Sequence, residues 1–257
     1  MGSKQPVLFI GHGSPMNALE ENAFTQNLRK LGSELTEPKA ILVISAHWET
    51  NGSQVLSSSS PKTIHDFYGF PKELFAMEYP APGAPQLAKT INEISSSIKT
   101  TETWGFDHGT WSVLTHLFPK ANIPVTQLSI DRYKSNEEHL ELGKKLSALR
   151  DECVLIIGSG NIVHNLSILQ WGTKNHGEPW AEEFDEIIKN SLENHNENIL
   201  IEFDKLGEVA QLAVPTREHY IPLLYSYGAS SSTDKLSYPY EGFEMGSLSM
   251  RSVMWSV

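Results

Sequence analysis

Short apolar segments without charged residues recur along this chain, and they constrain its fold more than any other feature. Four of them are rich in β-branched residues: Val7–Ile10, Ala40–Ala46, Ile123–Ser129 and Cys153–Ile157. Segments of this kind are typical of strands that are covered on both faces. We therefore predict that they form the central strands of one sheet.

Segments with a helical spacing of apolar residues lie between and after the predicted strands. Their apolar positions are Phe24, Leu28 and Leu31; Leu87, Ile91, Ile94 and Ile98; Leu142, Leu146 and Leu149; and Trp180, Phe184, Ile187 and Leu192. This spacing places apolar side chains on one stripe of a helix that packs on a sheet. The alternation predicts a single α/β domain over residues 1–257, with a mostly parallel or mixed sheet flanked by helices.

The composition excludes several classes of protein. With 39% hydrophobic and 20% charged residues, the chain is neither disordered nor fibrous. A net charge of −11 argues against nucleic acid as a partner, and no apolar run approaches the roughly 20 residues of a membrane-spanning helix. Cys153 is the only cysteine, which excludes an intramolecular disulfide and a thiolate-rich metal site. We expect a cytoplasmic protein, and the sequence carries no signal for an oligomeric state.

Three of the predicted strands lead into short polar motifs that contain or precede a histidine. His12 lies between two glycines after the first strand, His47 follows the second strand, and a glycine-rich motif after the fourth strand leads to His164. In open α/β sheets the ligand crevice lies beyond the carboxyl ends of the strands. We therefore expect these three imidazoles to lie close together at that edge, where they would form the metal site at the strand ends.

Two further histidines have both a structural and a functional interpretation. His108 follows Asp107, a residue suited to cap a helix over Trp111–Phe118. His219 follows Glu218 just before an apolar segment, where an ion pair would stabilise a helix start. We interpret the remaining histidines as background, with His139 on a solvated helix face among glutamates.

Several common catalytic motifs are missing from the sequence. The Gly158-Ser159-Gly160 motif lacks the third glycine of a dinucleotide-binding loop, because position 163 is valine. A Gly-x-Ser-x-Gly elbow and a His-Glu-x-x-His motif are both absent, which argues against a standard α/β-hydrolase or zincin. A histidine-rich site for a divalent metal remains. Imidazole ligands suit iron(II) and zinc(II) alike, so the residue types leave the metal open.

A set of motifs along the chain resembles those of a known enzyme family. The motifs are, in order, Gly11-His12-Gly13-Ser14-Pro15-Met16, Ser45-Ala46-His47-Trp48-Glu49, His65-Asp66-Phe67-Tyr68-Gly69-Phe70-Pro71, Tyr79-Pro80-Ala81-Pro82-Gly83, Asp107-His108-Gly109-Thr110-Trp111, Gly158-Ser159-Gly160-Asn161 with His164, and Glu218-His219-Tyr220. As a set they resemble the 4,5-DOPA dioxygenase extradiol family, which belongs to the class III extradiol ring-cleavage dioxygenases. The resemblance extends from about Pro6 to about Ser252.

The resemblance implies an enzyme that opens a catechol such as DOPA with dioxygen to give a semialdehyde. It implies that His12, His47 and His219 hold one divalent metal, iron(II) for ring cleavage or zinc(II) as bound. A related branch of the class uses a glutamate as third ligand, which makes Glu218 the alternative to His219. The same resemblance implies that His164 completes the coordination or acts as acid and base, and that His108 orients the substrate or the bound oxygen.

Two other functions fit the same residue types. A zinc-dependent hydrolase or lyase would use the scaffold with a metal-bound hydroxide. A protein that binds a metal or a small molecule without catalysis would hold a fully coordinated ion.

The Pro-rich stretch from Phe67 to Pro85 is predicted to be an ordered loop. Four aromatic residues on it offer an apolar slot for an aromatic substrate: Tyr68, Phe70, Phe75 and Tyr79. Packing of these rings against the core is the alternative, and it is slightly favoured.

Overall fold

A mixed β-sheet forms the centre of the molecule, and the order of the strands in this sheet differs from their order in the sequence. The computed structural model describes residues 4–173 and 175–257. The strands are β1 (Val7–Gly11), β2 (Ala40–Thr50), β3 (Gln54–Leu56), β4 (Lys99–Thr101), β5 (Val125–Asp131), β6 (Val154–Gly160), β7 (Lys235–Tyr240), β8 (Phe243–Glu244), β9 (Leu248–Ser249) and β10 (Ser252–Ser256). The main sheet has the order β4-β3-β5-β2-β6-β1-β10-β7, while β8 and β9 pair separately.

The four segments predicted as central strands lie next to one another in the sheet. They are β5, β2, β6 and β1, and each neighbouring pair among them is parallel. Antiparallel pairs flank this group, β3 with β5 on one side and β1 with β10 on the other. The predicted α/β class with a mostly parallel or mixed sheet is therefore confirmed.

Both faces of the central strands are covered by apolar side chains. In β1, Val7 and Phe9 belong to one hydrophobic core and Leu8 and Ile10 to the other. Side chains of a strand alternate between the two faces, so a strand between two cores is apolar at most positions. This burial explains the apolar segments in the sequence, and the buried polar residues among them, such as Thr126 and Gln127, have hydrogen-bond partners.

Helices pack on both faces of the sheet. They are α1 (Ala23–Glu34), α2 (Lys72–Phe75), α3 (Pro85–Ile94), α4 (His108–Leu117), α5 (Asn136–Leu146), α6 (Pro179–Glu193), α7 (Glu197–Ile201), α8 (Glu208–Ala213) and α9 (Ile221–Ala229). Helices α1 and α4 cover one face, and α3, α5, α6 and α9 cover the other. The predicted helices are present, but α3 ends at Ile94, so Ile98 lies beyond it in the turn before β4. Leu149 likewise lies after α5, in the 3₁₀ turn Ser147–Glu152.

The strand β2 extends further than the sequence indicates. Its predicted end at Ala46 is wrong, because the strand continues to Thr50. Pairing with β5 shifts register between Ile44 and Glu49, and His47 lies inside this irregular stretch. Local breaks in a ladder re-aim side chains, and here the break leaves an imidazole at the carboxyl edge of the central strands. Within the described residues, no helix has the length and apolar character needed to cross a membrane.

Helix α5 packs closely against α9, and this contact contradicts one expectation from the sequence. His139 is fully buried rather than solvated, with Nδ1 3.0 Å from the hydroxyl of Tyr225. The neighbouring residues Glu137, Glu138 and Glu141 are exposed, because successive residues of a helix point in directions about 100° apart and only one face of α5 is buried. The two helices approach so closely that a Cβ on Gly143 would lie 2.6 Å from the carbonyl oxygen of Tyr225.

The buried His139 makes the stability of the fold depend on pH. Burial, with the charges of Arg217 and Lys134, lowers the pKa of His139 to about 4. Its folded pKa lies below the unfolded value of about 6.5, so protonation favours the unfolded chain, and stability is lost as pH falls from about 6.5 to about 4.

We expect His139→Asn, which retains a partner for Tyr225 but does not titrate, to remove this part of the acid sensitivity. Urea unfolding of both proteins between pH 7.5 and 4.5 measures it. The stability advantage of the wild type over the variant should shrink by about 2 kcal/mol across that range. An advantage that stays constant with pH would contradict the expectation.

Candidate metal centre

The structure brings the five histidines singled out in the sequence into one cluster. His12 follows β1, His47 lies in β2, and His219 immediately precedes the residues that open α9. The centroids of these three rings lie 5.0 Å (His12 to His47), 5.4 Å (His12 to His219) and 4.9 Å (His47 to His219) apart. His108 lies next to His47, and His164 lies next to His219.

The ring of His12 is held by a hydrogen bond to the neighbouring strand. Its Nδ1 lies 3.0 Å from Oγ of Ser159, and that hydroxyl donates its own proton to the carbonyl oxygen of Gly109 at 2.5 Å. The hydroxyl therefore accepts a proton from Nδ1 of His12, and the neutral ring keeps a lone pair on Nε2. The Nε2 of His47 lies 3.1 Å from this atom.

His219 has a similar arrangement with its neighbour in sequence. Its Nδ1 lies 3.0 Å from Oε1 of Glu218, which accepts the Nδ1 proton. Its Nε2 is buried and has no hydrogen-bond partner among the described residues. An imidazole whose second nitrogen donates to a carboxylate is the usual arrangement for a metal-binding histidine.

The other two histidines occupy different positions around the group. His108 is the first residue of α4, which Asp107 caps by accepting a hydrogen bond from the backbone N–H of Thr110, so the capping interpretation of Asp107 is confirmed. The ring of His108 lies 3.8 Å from that of His47. His164 stacks face to face on His219, with 3.4 Å between centroids and 6° between planes.

Burial lowers the pKa of four of these imidazoles, His12, His47, His164 and His219, and so favours their neutral forms. It lowers the pKa of His12 and of His47 well below the ordinary value, and the neighbouring histidines lower both further. Burial lowers the pKa of His164, as does repulsion between the protonated forms of His164 and His219, whereas the charge of Glu218 raises it. Burial also lowers the pKa of His219, although its hydrogen bond to Glu218 acts in the opposite direction. Neutral imidazoles have lone pairs to offer a cation.

The donor set fits a divalent metal ion. Two nitrogens about 2.1 Å from one ion lie about 3.0 Å apart at a right angle and about 3.4 Å apart in a tetrahedron. The 3.1 Å between Nε2 of His12 and Nε2 of His47 falls in this range. Two facing lone pairs repel each other, and a cation between them would turn that repulsion into attraction.

The chain is similar to known ring-opening dioxygenases over almost its whole length. Residues 6–248 match the family described as the catalytic LigB subunit of aromatic ring-opening dioxygenase. A 4,5-DOPA dioxygenase extradiol from Escherichia coli (strain K12) is 47% identical, with 98% of this chain and 94% of the relative covered. One from Beta vulgaris is 36% identical, with 98% of both covered. The chain belongs to the LigB family.

A solved structure supports the same assignment. The crystal structure of an uncharacterised protein from Escherichia coli K12 matches with a TM-score of 0.84 and 43% identity, over 97% of this chain and 99% of that one. The prediction of an extradiol ring-cleavage dioxygenase is confirmed by these relatives, and the resemblance noted in the sequence with it. LigB-family dioxygenases are metal-dependent. Among the described residues, two groups have ligand atoms within 4.8 Å of one another: His12, His47 and His108 form one, and His164, Glu218 and His219 form the other.

Three residues that contact the histidines of this LigB-family chain were missed in the sequence. Ser159 contacts His12, Asp66 lies 3.0 Å from Nδ1 of His108, and the ring of Phe67 lies edge-on to His108 at 5.6 Å. All three belong to the motifs that carry the family resemblance. Their individual residue types gave no signal, because serine, aspartate and phenylalanine are common in loops and strands.

The aromatic residues expected to line a substrate slot do not form one surface. Tyr79 is buried and donates a hydrogen bond to the carbonyl oxygen of Phe118, whereas Tyr68 is 93% exposed. Phe70 and Phe75 flank Phe67, which is the ring that reaches the cluster. Packing within the loop and against the core therefore accounts for most of these aromatics, as the favoured alternative predicted. The loop is ordered, with only the single turn of α2 inside it.

Gly160 joins the backbones that carry two of the histidines. Its carbonyl oxygen accepts a hydrogen bond from the backbone N–H of His12 at 3.0 Å. A Cβ on Gly160 would lie 2.1 Å from the carbonyl oxygen of His219, so a larger residue must push that segment away. The close approach of β6 to the start of α9 thus depends on the absence of a side chain.

We expect Gly160→Ala to weaken metal binding and to lower stability by about 1–3 kcal/mol through overpacking. Gly143→Ala is the matched control, because its Cβ would meet the backbone of Tyr225 at 2.6 Å, in the packing of α5 on α9. Both variants should unfold at lower temperature, but only Gly160→Ala should raise the dissociation constant for zinc(II) in a chelator competition. Equal metal affinity in the two variants would contradict this role of Gly160.

Proposed function

We propose that this chain opens the ring of a catechol such as DOPA beside its diol, with dioxygen as co-substrate, to give a semialdehyde. The relatives that are 47% and 36% identical both carry the name 4,5-DOPA dioxygenase extradiol. The observation that carries the proposal is the convergence of three imidazoles, of which His12 and His219 are buried and His47 is half-buried. The single cysteine supports a cytoplasmic location for this reaction.

In the proposed site, His12, His47 and His219 hold one divalent metal ion. Glu218 acts behind His219 as a hydrogen-bond acceptor, because its Oε1 already faces Nδ1 of that ring. Iron(II) is the metal that we propose for the reaction, since zinc has no redox chemistry. Bound iron supplies a Lewis acid for the diol and a route for electrons between the catechol and dioxygen.

His164 is the proposed proton acceptor for the diol. Its ring is parallel to that of His219 at 3.4 Å, and the in-plane lone pairs of two rings stacked in this way do not converge on one point. This arrangement favours a role as base over a role as fourth ligand. The ring is neutral, and the negative charge of Glu218 acts to raise its pKa, so this carboxylate would stabilise the imidazolium formed when His164 takes the proton that a catechol releases on binding.

His108 is proposed to orient the substrate. It lies at the N-terminus of α4, next to His47, and its ring also contacts Phe67. Phe67 therefore provides an apolar surface for the ring of an aromatic substrate, and the neighbouring His108 provides a polar group for its hydroxyls. This pairing of an apolar surface with one fixed polar group is what a flat aromatic diol requires.

Oxygen consumption tests the proposed reaction directly. We expect protein purified without oxygen and loaded with iron(II) to consume oxygen and form a yellow product from DOPA, whereas protein loaded with zinc(II) consumes none. Simpler catechols in parallel define the substrate class. A lack of oxygen uptake by the iron-loaded protein on every catechol would overturn the proposal.

Substitutions test the assignment of ligands and base. We expect His12→Ala and His47→Ala to lose the bound metal, because each removes one of three ligands, whereas His164→Ala keeps the metal and loses about 10²-fold or more in kcat. His195→Asn is the control, since His195 is exposed and has a positive φ of 52° that asparagine tolerates. Metal content by mass spectrometry and oxygen uptake are the measurements. Full metal stoichiometry in both ligand variants would show that the site lies elsewhere.

A further inference from the structure

One carboxylate in the cluster faces two imidazoles at once. Asp66 lies on the loop between β3 and α2, and its Oδ1 accepts a hydrogen bond from the backbone N–H of His108 at 2.9 Å. Its Oδ2 lies 3.0 Å from Nδ1 of His108 and 3.5 Å from Nδ1 of His47. The two rings are 3.8 Å apart between centroids, so a single carboxylate oxygen borders both.

We infer that Asp66 is a positioning residue that fixes the tautomers of His47 and His108 together. An ionised carboxylate has no proton to donate, so the hydrogen bond at 3.0 Å requires the proton on Nδ1 of His108, and the approach at 3.5 Å favours it electrostatically on Nδ1 of His47. Both rings then hold their proton on Nδ1 and keep a lone pair on Nε2. Resting on the proposed function, this inference makes His108 a hydrogen-bond acceptor for the catechol rather than a donor.

The proton on Nδ1 has a different consequence in each ring, because His47 is a proposed metal ligand and His108 is proposed to orient the substrate. For His47, the tautomer leaves Nε2 free to bind the metal, so Asp66 contributes to metal affinity. For His108, the same tautomer leaves Nε2 able to accept a hydrogen bond from a substrate hydroxyl, so Asp66 contributes to turnover. Ser159 and Glu218 lack this double role, since each accepts from one ring nitrogen only.

Asp66 also anchors the loop that carries the nearest aromatic ring. Phe67 follows it directly, and its ring lies 5.6 Å from His108 at 77°. On the other side, Nε2 of His65 lies 2.9 Å from the carbonyl oxygen of Met77, so the loop is held at both ends of this short stretch. The Asp66 carboxylate thus fixes the position of the Phe67 ring relative to the ring of His108.

Asp66→Asn separates this role from simple structural support. The backbone N–H of His108 requires an acceptor, so the amide oxygen of the new side chain takes the place of Oδ1. The amide nitrogen then faces both rings, and it can only donate. Each ring must therefore accept through Nδ1 and move its own proton to Nε2, although the variant side chain has almost the same shape.

The tautomers are read by ¹⁵N NMR of histidine-labelled, metal-free protein at pH 8, with His47 and His108 assigned from single substitutions. We expect the proton on Nδ1 of both rings in the wild type and on Nε2 of both in Asp66→Asn. Zinc(II) affinity should fall by about 10–100-fold in the variant. At saturating iron(II), kcat on DOPA should remain at least about 10-fold below the wild type.

Asp185→Asn is the control, because it makes the same change in a carboxylate that pairs with Arg251 and Ser249 and not with a histidine; the Asp185 side chain is more buried than that of Asp66. It should lower the unfolding temperature without altering the tautomers or the zinc affinity. Nε2–H tautomers in the wild type would overturn the inference even if Asp66→Asn did not fold. Unchanged tautomers in a folded variant, or full recovery of kcat at saturating iron(II), would also overturn it.

The outcomes for Asp66 are independent of the proposed reaction. If the wild type consumed no oxygen, the proposed function would fail while the tautomer and affinity measurements still decided the role of Asp66. If the wild type were active and the variant tautomers unchanged, the role of Asp66 alone would fail.

Discussion

Several imidazoles can share one buried space only if none of them carries a charge, and this constraint governs the centre of the molecule. Each protonated ring would lose its hydration and repel its neighbours at distances of a few ångströms. The protein meets the constraint by giving one nitrogen of His12 and one of His219 a hydrogen-bond acceptor, from Ser159 and Glu218, and by placing the Asp66 carboxylate 3.5 Å from Nδ1 of His47. The remaining nitrogens face a common space, where a cation would stabilise them.

Much of the fold could be predicted from the sequence, because burial on both faces leaves a direct trace in the residue types. The four central strands are mostly apolar where both faces are covered, although β5 also buries Thr126, Gln127 and Ser129. Edge strands left weaker traces. Strand β4, for example, reads Lys99–Thr101, and one exposed face of three residues has no period to recognise.

The site was predictable at the level of which histidines gather, but not at the level of what holds them. His12 and His47 were recognisable because each adjoins or lies in a buried strand, where a polar side chain is costly unless it is hydrogen-bonded or binds a ligand. Asp66 and Ser159 left no such trace, since their roles depend on contacts across about 40 or more residues of chain. His139 was misassigned for a related reason. Its sequence neighbours are acidic, and only the packing of α5 on α9 shows which side of the helix it occupies.

Strand β1 lies inside the sheet and not at its edge, and this position affects when the site can form during biosynthesis. β1 is bordered by β6 and β10, strands that leave the ribosome long after it. The nascent polypeptide therefore carries two of the three proposed metal ligands, His12 and His47, for most of its synthesis, and the third, His219, emerges only with the segment that precedes α9. A partial chelate of this kind holds transition metals weakly, so stable loading of the ion awaits a nearly complete translation product.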